Sequence, residues 1–148
     1  GIIPYKDDLQ CIVASKYGKG FIADLNGIQT SQKKGKQLFN LKLGDQLLNI
    51  TNKVGTHLCC VSKNSKLLVF ETKDIPILKK GGGVQLQKIK KNDELSDIQT
   101  FNLSDGISWK IGSQLRKETD IVFWIGKRSQ VGKKVPKRFN KNLKFYNE

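Results

Sequence analysis

A shift of 47 positions lays one stretch of this sequence over another. CIVASKYGKGFIADLNGI, starting at Cys11, falls on LCCVSKNSKLLVFETKDIPI, starting at Leu58. Ser15, Lys16 and Lys19 meet Ser62, Lys63 and Lys66; Phe21-Ile22 meets Leu68-Val69, Asp24 meets Glu71, and Ile28 meets Ile75. Lys33 and Gly35 fall on Lys80 and Gly82, and after one inserted residue Asp45, Leu47 and Ile50 match Asp93, Leu95 and Ile98. A chain built by tandem duplication is confined to folds in which a small unit stacks on its copy, because neither copy buries its apolar face alone.

Each copy reads as β structure. Cys11–Ser15 is a short apolar strand, Lys16–Lys19 a polar turn whose Gly18 supplies a positive φ, and Gly20–Leu25 the returning strand. Gln32–Lys36 is an exposed basic loop, and Gln37–Leu41 and Gln46–Ile50 are two further strands. In the second copy Leu58–Ser62 and Lys66–Glu71 form the hairpin, Pro76 closes the excursion after it, Lys79–Gly83 replaces the basic loop, and Val84–Ile89 returns to the sheet. Four short strands per unit is the arithmetic of a propeller blade, and two full blades are fewer than the about 4–8 that close a ring. The expectation is an all-β chain forming part of a larger disc or an open arc, with repeat units at 11–57 and 58–105 and an incomplete last unit plus basic tail at 106–148. In that last part Asp97–Leu103 and Ile107–Lys110 read as strands, Thr119–Gln130 as a short helix capped by Thr119, and the chain from Gly132 as irregular, pinned by Phe139, Phe145 and Tyr146.

The formal net charge is +14, from 27 Lys and Arg against 13 Asp and Glu. A surplus of this size draws a polyanion and opposes self-association. Duplex DNA presents one negative charge per about 1.7 Å of axis, so holding it without reading sequence takes spaced cations. The turn lysines Lys16, Lys19, Lys63 and Lys66 recur at one place in the unit, loop lysines Lys33 and Lys34 recur as Lys79 and Lys80, and Lys36 extends the first basic loop. Stacked units carry such a series onto one rim, where neighbouring glycines let backbone amides approach phosphate. Turns are also polar simply because they are exposed; the repetition is what favours DNA. Lys127, Arg128, Lys133, Lys134, Lys137 and Arg138 form a second basic patch that either extends the track or binds the rest of the protein. With Arg only at 116, 128 and 138, groove reading of bases is not expected.

Other chemistry is poorly supplied. Cys11, Cys59 and Cys60 match neither a disulfide framework nor a metal knuckle and read as buried, reduced thiols, which suits a reducing compartment. His57, the one histidine, has no evident partner for general-base work and reads as packed; Trp109 and Trp124 read as packing anchors. Asp24 and Glu71 are repeat equivalents, which suits a structural role, and Asp93, Glu94 and Asp97 make a weak case for a metal. There is no GxSxG, HExxH or P-loop, no apolar run near the roughly 20 residues of a membrane span, and no signal-peptide pattern at the start. No catalytic residue, cofactor or metal is nominated in this chain. Beginning at Gly1 and without Met, it reads as a C-terminal segment of something longer.

Several stretches carry a family resemblance: Lys36–Leu41, Ser65–Phe70, Gly81–Gln87, LSDIQTFNLSDGISW from Leu95 and WIGKRSQVGKKVPKRF from Trp124. They resemble the C-terminal domains of bacterial topoisomerase IV A subunits, of alphaproteobacterial type, and of the related gyrase A subunits. The resemblance implies a β-pinwheel, a propeller-like disc whose blades exchange a strand, with DNA against a basic outer rim. It also implies a type IIA topoisomerase, an A2B2 assembly whose B subunits supply Mg²⁺ and ATP hydrolysis, and a role in decatenation, supercoil relaxation and chromosome segregation. Such an enzyme is cytoplasmic and nucleoid-associated, which leaves room for a peripheral place at the inner membrane and for a monomeric state of this segment alone. The gyrase box QRRGGKG is degenerate here, as Gln32-Lys33-Lys34-Gly35-Lys36 and Lys79-Lys80-Gly81-Gly82-Gly83, which favours topoisomerase IV over a gyrase domain that wraps DNA. The alternative outside the family is a propeller fragment that binds an acidic protein.

Overall fold

The computed structural model describes residues 10–24, 44–53, 55–78 and 81–146. These form eleven strands: β1 Gln10–Ser15, β2 Lys19–Asp24, β3 Leu47–Asn52, β4 His57–Ser62, β5 Lys66–Glu71, β6 Ile77–Leu78, β7 Val84–Gln85, β8 Leu95–Phe101, β9 Ile107–Ile111, β10 Gln114–Glu118 and β11 Lys133–Lys134. The expected strand Gln37–Leu41 and loop Gln32–Lys36 lie outside the described residues.

The first two units are built alike. β1 and β4 each lie between a hairpin partner (β2, β5) and a later antiparallel strand (β3, β8), and both later pairings shift register at the same place, between Ala14 and Ser15 and between Val61 and Ser62. The hairpin loops have three residues and close identically, Gly18 N–H donating to the Ser15 carbonyl and Ser65 N–H to that of Ser62, each at 3.0 Å. The third loop residue must adopt a positive φ, 84° at Gly18 but 63° at Ser65, where a side chain is disfavoured. Ser65→Gly is therefore expected to stabilise the fold by about 1 kcal/mol, raising the thermal midpoint by about 2–4 °C. Thermal denaturation followed by circular dichroism checks this.

Strands cross between units. The excursion after β5 leaves its own sheet and joins the first: β6 pairs in parallel with β2 at Ile22↔Ile77, and β7 antiparallel at Gly20↔Val84. The third unit repeats the gesture on β5, with a parallel bridge Val69↔Ile125 and β11 antiparallel at Leu67↔Lys133. A glycine leads each antiparallel strand in. A Cβ on Gly83 would lie 2.5 Å from the Gly20 carbonyl oxygen, and one on Gly132 would collide with that of Leu67, so the backbones meet only because no side chain intervenes.

Sheet stacking explains the burial pattern. Alternate residues of β4 and β5 face opposite ways: Leu58, Cys60, Leu68 and Phe70 pack with Ile12, Ala14 and Ile22 of the first sheet, while Cys59, Val61, Leu67 and Val69 pack with Ile107, Trp109 and Ile121 of the third unit. With both faces covered, β4 is buried along its whole length, HLCCVS, and is apolar from Leu58 to Val61. All three thiols are free and buried; burial pushes the Cys11 thiol up to about 11 and raises Cys59 and Cys60 as well.

The last third differs from expectation in three places. The helix expected over Thr119–Gln130 is a single 3-10 turn, Val122–Trp124, because its apolar residues go to different partners: Ile121 is buried in the core, Ile125 bridges to β5, and Val122 and Phe123 face outward. Lys133-Lys134, expected to be irregular, is strand β11, and the returning strand Val84–Ile89 pairs only at Val84-Gln85. β10, which the apolar pattern does not announce, pairs with β9 and, among the described residues, with nothing else. No helix among the described residues is long and apolar enough to cross a membrane.

The tail is pinned, through Asp97 above all. Its carboxylate accepts from Phe145 N–H at 2.9 Å and from Asn49 Nδ2 at 2.8 Å, joining β3, β8 and the tail, while Ser96 Oγ donates to the Leu143 carbonyl and Gln99 Nε2 to that of Tyr146. The Phe139 ring packs against Trp109 at 5.0 Å and Phe145 at 5.6 Å. Burial raises the Asp97 pKa, against the opposing hydrogen bonds of Phe145, Ile98 and Asn49 and the charge of Lys144. A carboxyl whose folded pKa exceeds its unfolded one holds its proton more tightly in the fold. Its stabilising contribution is then full below the unfolded value, about 3.9, and is lost as pH rises through the raised folded value. Wild type is expected to gain stability relative to Asp97→Asn as pH falls from about 7 to about 4, read from urea midpoints. A relative loss over that range would mean a depressed Asp97.

Candidate nucleic-acid interface

The two hairpin loops hang from equivalent carboxylates. Asp45 Oδ1 accepts from Tyr17 N–H (3.1 Å) and Gln46 N–H (2.8 Å); Asp93 Oδ1 accepts from Asn64 N–H (3.0 Å) and Glu94 N–H (2.8 Å). Ser15 and Ser62 hydroxyls accept from Lys19 and Lys66 N–H. Those acids and serines are thereby occupied with shaping loops, and the loops present lysine.

Stacking brings the loops together. Lys16 Nζ lies 3.8 Å from Glu94 Oε2 and Lys63 Nζ 3.4 Å from Glu94 Oε1, so ammonium groups of successive units share one carboxylate. The backbone fixes this juxtaposition, with Lys63 N–H donating to the Glu94 carbonyl and Leu95 N–H to that of Lys16. Strand exchange adds a second pair: β11 sets exposed Lys134 across from Lys66. Like charges directly opposite are destabilising on a sheet unless something neutralises them. Trp124 Nε1 donates to the Lys134 carbonyl at 2.8 Å and steadies that strand.

The segment Val84–Lys88 ties all three units. Leu86 N–H donates to the Gly18 carbonyl, Gln87 Nε2 to those of Lys66 and Val131, and Ser129 N–H to that of Leu86. Arg128 Nη1 donates to the Gln85 carbonyl at 2.8 Å, which gives this residue a bracing task. Lys127 is exposed, and Lys133 lies over the Phe123 ring at 4.4 Å. Lys19 and Lys66 are half-buried at the loop ends. Lys33, Lys34, Lys36, Lys79 and Lys80 lie outside the described residues.

Sequence reasoning does not single out Lys88, Lys90 and Lys91, all exposed on the path from Gln87 to the Asp93 clamp of the second loop. The run KIKK is the available signal, but matching the repeats passes over it because its counterpart in the first copy is the shorter stretch around Lys42. Away from the rim, His57 is packed, its Nδ1 2.8 Å from Thr56 Oγ1 and its ring 6.0 Å from Phe101. Trp109 is buried with Nε1 donating to the Arg138 carbonyl. No group of three or more His, Cys, Asp and Glu suited to a metal occurs among the described residues.

Over 97% of its length the chain is 40% identical to the topoisomerase IV A subunit of Rickettsia bellii and 31% identical to that of Caulobacter vibrioides. Residues 56–102 match the family model of the DNA gyrase C-terminal domain, beta-propeller. Along almost its whole length the chain is similar to topoisomerase IV A subunits, and over its middle third to the gyrase C-terminal domain. It spans 19% of the length of those two relatives. The fold agrees: the E. coli ParC C-terminal domain superposes with a TM-score of 0.70 at 19% identity, covering 92% of this chain and 59% of that one. The gyrase A C-terminal domain superposes at 0.69 and 17%, covering 95% and 48%. The expected fold class, an all-β pinwheel, is therefore the one found.

Proposed function

We propose that this domain holds duplex DNA along the loop rim of its stacked units, without reading sequence, and so positions a segment for a topoisomerase IV. The observation that carries the reading is the convergence of Lys16 and Lys63, from equivalent loops of successive units, on one carboxylate, with Lys66 and Lys134 paired beside them. Such a row supplies spaced cations to a stiff anionic rod, and the net charge of +14 adds long-range attraction. In the intact enzyme the domain acts by position: the B subunits of an A2B2 assembly supply Mg²⁺ and ATP hydrolysis, and the bound duplex biases strand passage toward decatenation and relaxation during chromosome segregation.

The test is fluorescence anisotropy of labelled duplexes at rising salt. Affinity is expected to fall steeply with salt and to differ little between unrelated sequences. No measurable binding even at about 50 mM salt would overturn the DNA reading and favour docking of an acidic protein.

A further inference from the structure

Among the described residues, Glu94 is the acid whose carboxylate touches both loops, and its counterpart in the first unit is neutral. Asp45 corresponds to Asp93, so Gln46 corresponds to Glu94, and the two residues do the same backbone work: Lys16 N–H donates to the Gln46 carbonyl and Lys63 N–H to the Glu94 carbonyl, both at 2.8 Å. The charge at this position is therefore not needed to build the loop. What it adds is an anion with two oxygens, one 3.8 Å from Lys16 Nζ and the other 3.4 Å from Lys63 Nζ. A backbone phosphodiester offers the same thing, a single negative charge spread over two terminal oxygens.

We infer that Glu94 is a built-in competitor for the DNA backbone, occupying Lys16 and Lys63 in the free domain and yielding them when phosphate arrives. This rests on the DNA-holding role proposed above. The contact is partly exposed, with side-chain accessibilities of 36% for Glu94, 28% for Lys16 and 60% for Lys63. Ion pairs in such positions contribute little to stability, so a phosphate displaces the carboxylate readily. The effect is to keep the rim's affinity below what its lysines alone would give, which suits a domain that has to release duplex as well as hold it.

The experiment compares wild type, Glu94→Gln, Lys63→Ala and the double variant Glu94→Gln/Lys63→Ala on one random-sequence duplex across salt concentrations. Glu94→Gln copies the first unit's own residue. It is expected to bind about 3–10-fold more tightly and to steepen the dependence of log affinity on log salt by about 1. Lys63→Ala is expected to cost more affinity in the Glu94→Gln background than in wild type, a coupling that a general change of charge does not produce. Unchanged affinity, or additive effects, overturns the inference while leaving the DNA reading intact. A thermal midpoint lowered by more than about 5 °C in Glu94→Gln also overturns it, by making the carboxylate a structural brace. Absence of wild-type binding overturns the DNA reading itself.

Discussion

Replacing Lys16, Lys63, Lys66 and Lys134 together with alanine is expected to lower affinity for duplex DNA by about 10²–10³-fold near 100 mM salt and to flatten the salt dependence by about 3–4 in slope. The four side chains come from three units, yet stacking and strand exchange set them on one rim, Lys16 and Lys63 about a shared carboxylate and Lys66 opposite Lys134. Their backbone bonds survive the substitution, and relief of the Lys66–Lys134 opposition offsets part of any lost packing. Thermal midpoints close to wild type are therefore expected. A matched pair, Lys53→Ala with Lys73→Ala, removes cations at the other end of the strands, where Lys73 already pairs with Glu71 at 3.0 Å. That variant is expected to bind within about 2-fold of wild type apart from the general loss of charge. Anisotropy titrations of the two variants side by side check both statements.

Leu86→Ala is expected to cost about 2–5 kcal/mol, the largest loss from any single truncation in the crossing segment. Leu86 is fully buried in the core shared by the first two sheets, among Ile12, Ile22, Leu68 and Phe70. Its backbone donates to the Gly18 carbonyl of one unit and accepts from Ser129 of another. The truncation thus opens a cavity at the joint between units. Because the cores are shared, the variant is expected to unfold in one transition at a lower urea midpoint. A second, earlier transition would show that the first unit melts separately from the others.

Much of this is legible in the sequence, for a physical reason. Duplication forces the same hydrogen bonds to recur, so Ser15/Ser62 and Asp45/Asp93 can be matched by eye, and both pairs turn out to shape equivalent loops. The buried thiols follow from apolar runs that cover two sheet faces. The crossing strands are not legible. Ile77-Leu78 and Lys133-Lys134 are two residues long, too short for any alternation to show, and they exist as strands only because β2 and β5 offer open edges. Thr119–Gln130 misleads because its apolar spacing fits a helix, while Ile121 goes to the core, Ile125 bridges to β5, and Val122 and Phe123 face outward. At the rim, individual lysines are visible but the part played by Glu94 is not: its meaning depends on where two loops, far apart in sequence, come to rest.

The central claim, that the loop ends of successive units form one continuous DNA-holding rim, is tested most directly by amide hydrogen exchange with and without a saturating random-sequence duplex. Slowed exchange is expected at residues 16–19, 63–66 and 133–134, with residues 55–56 and 71–75 at the far ends of the same strands unchanged. Slowing confined to those far ends, or to one loop without the other, would contradict it.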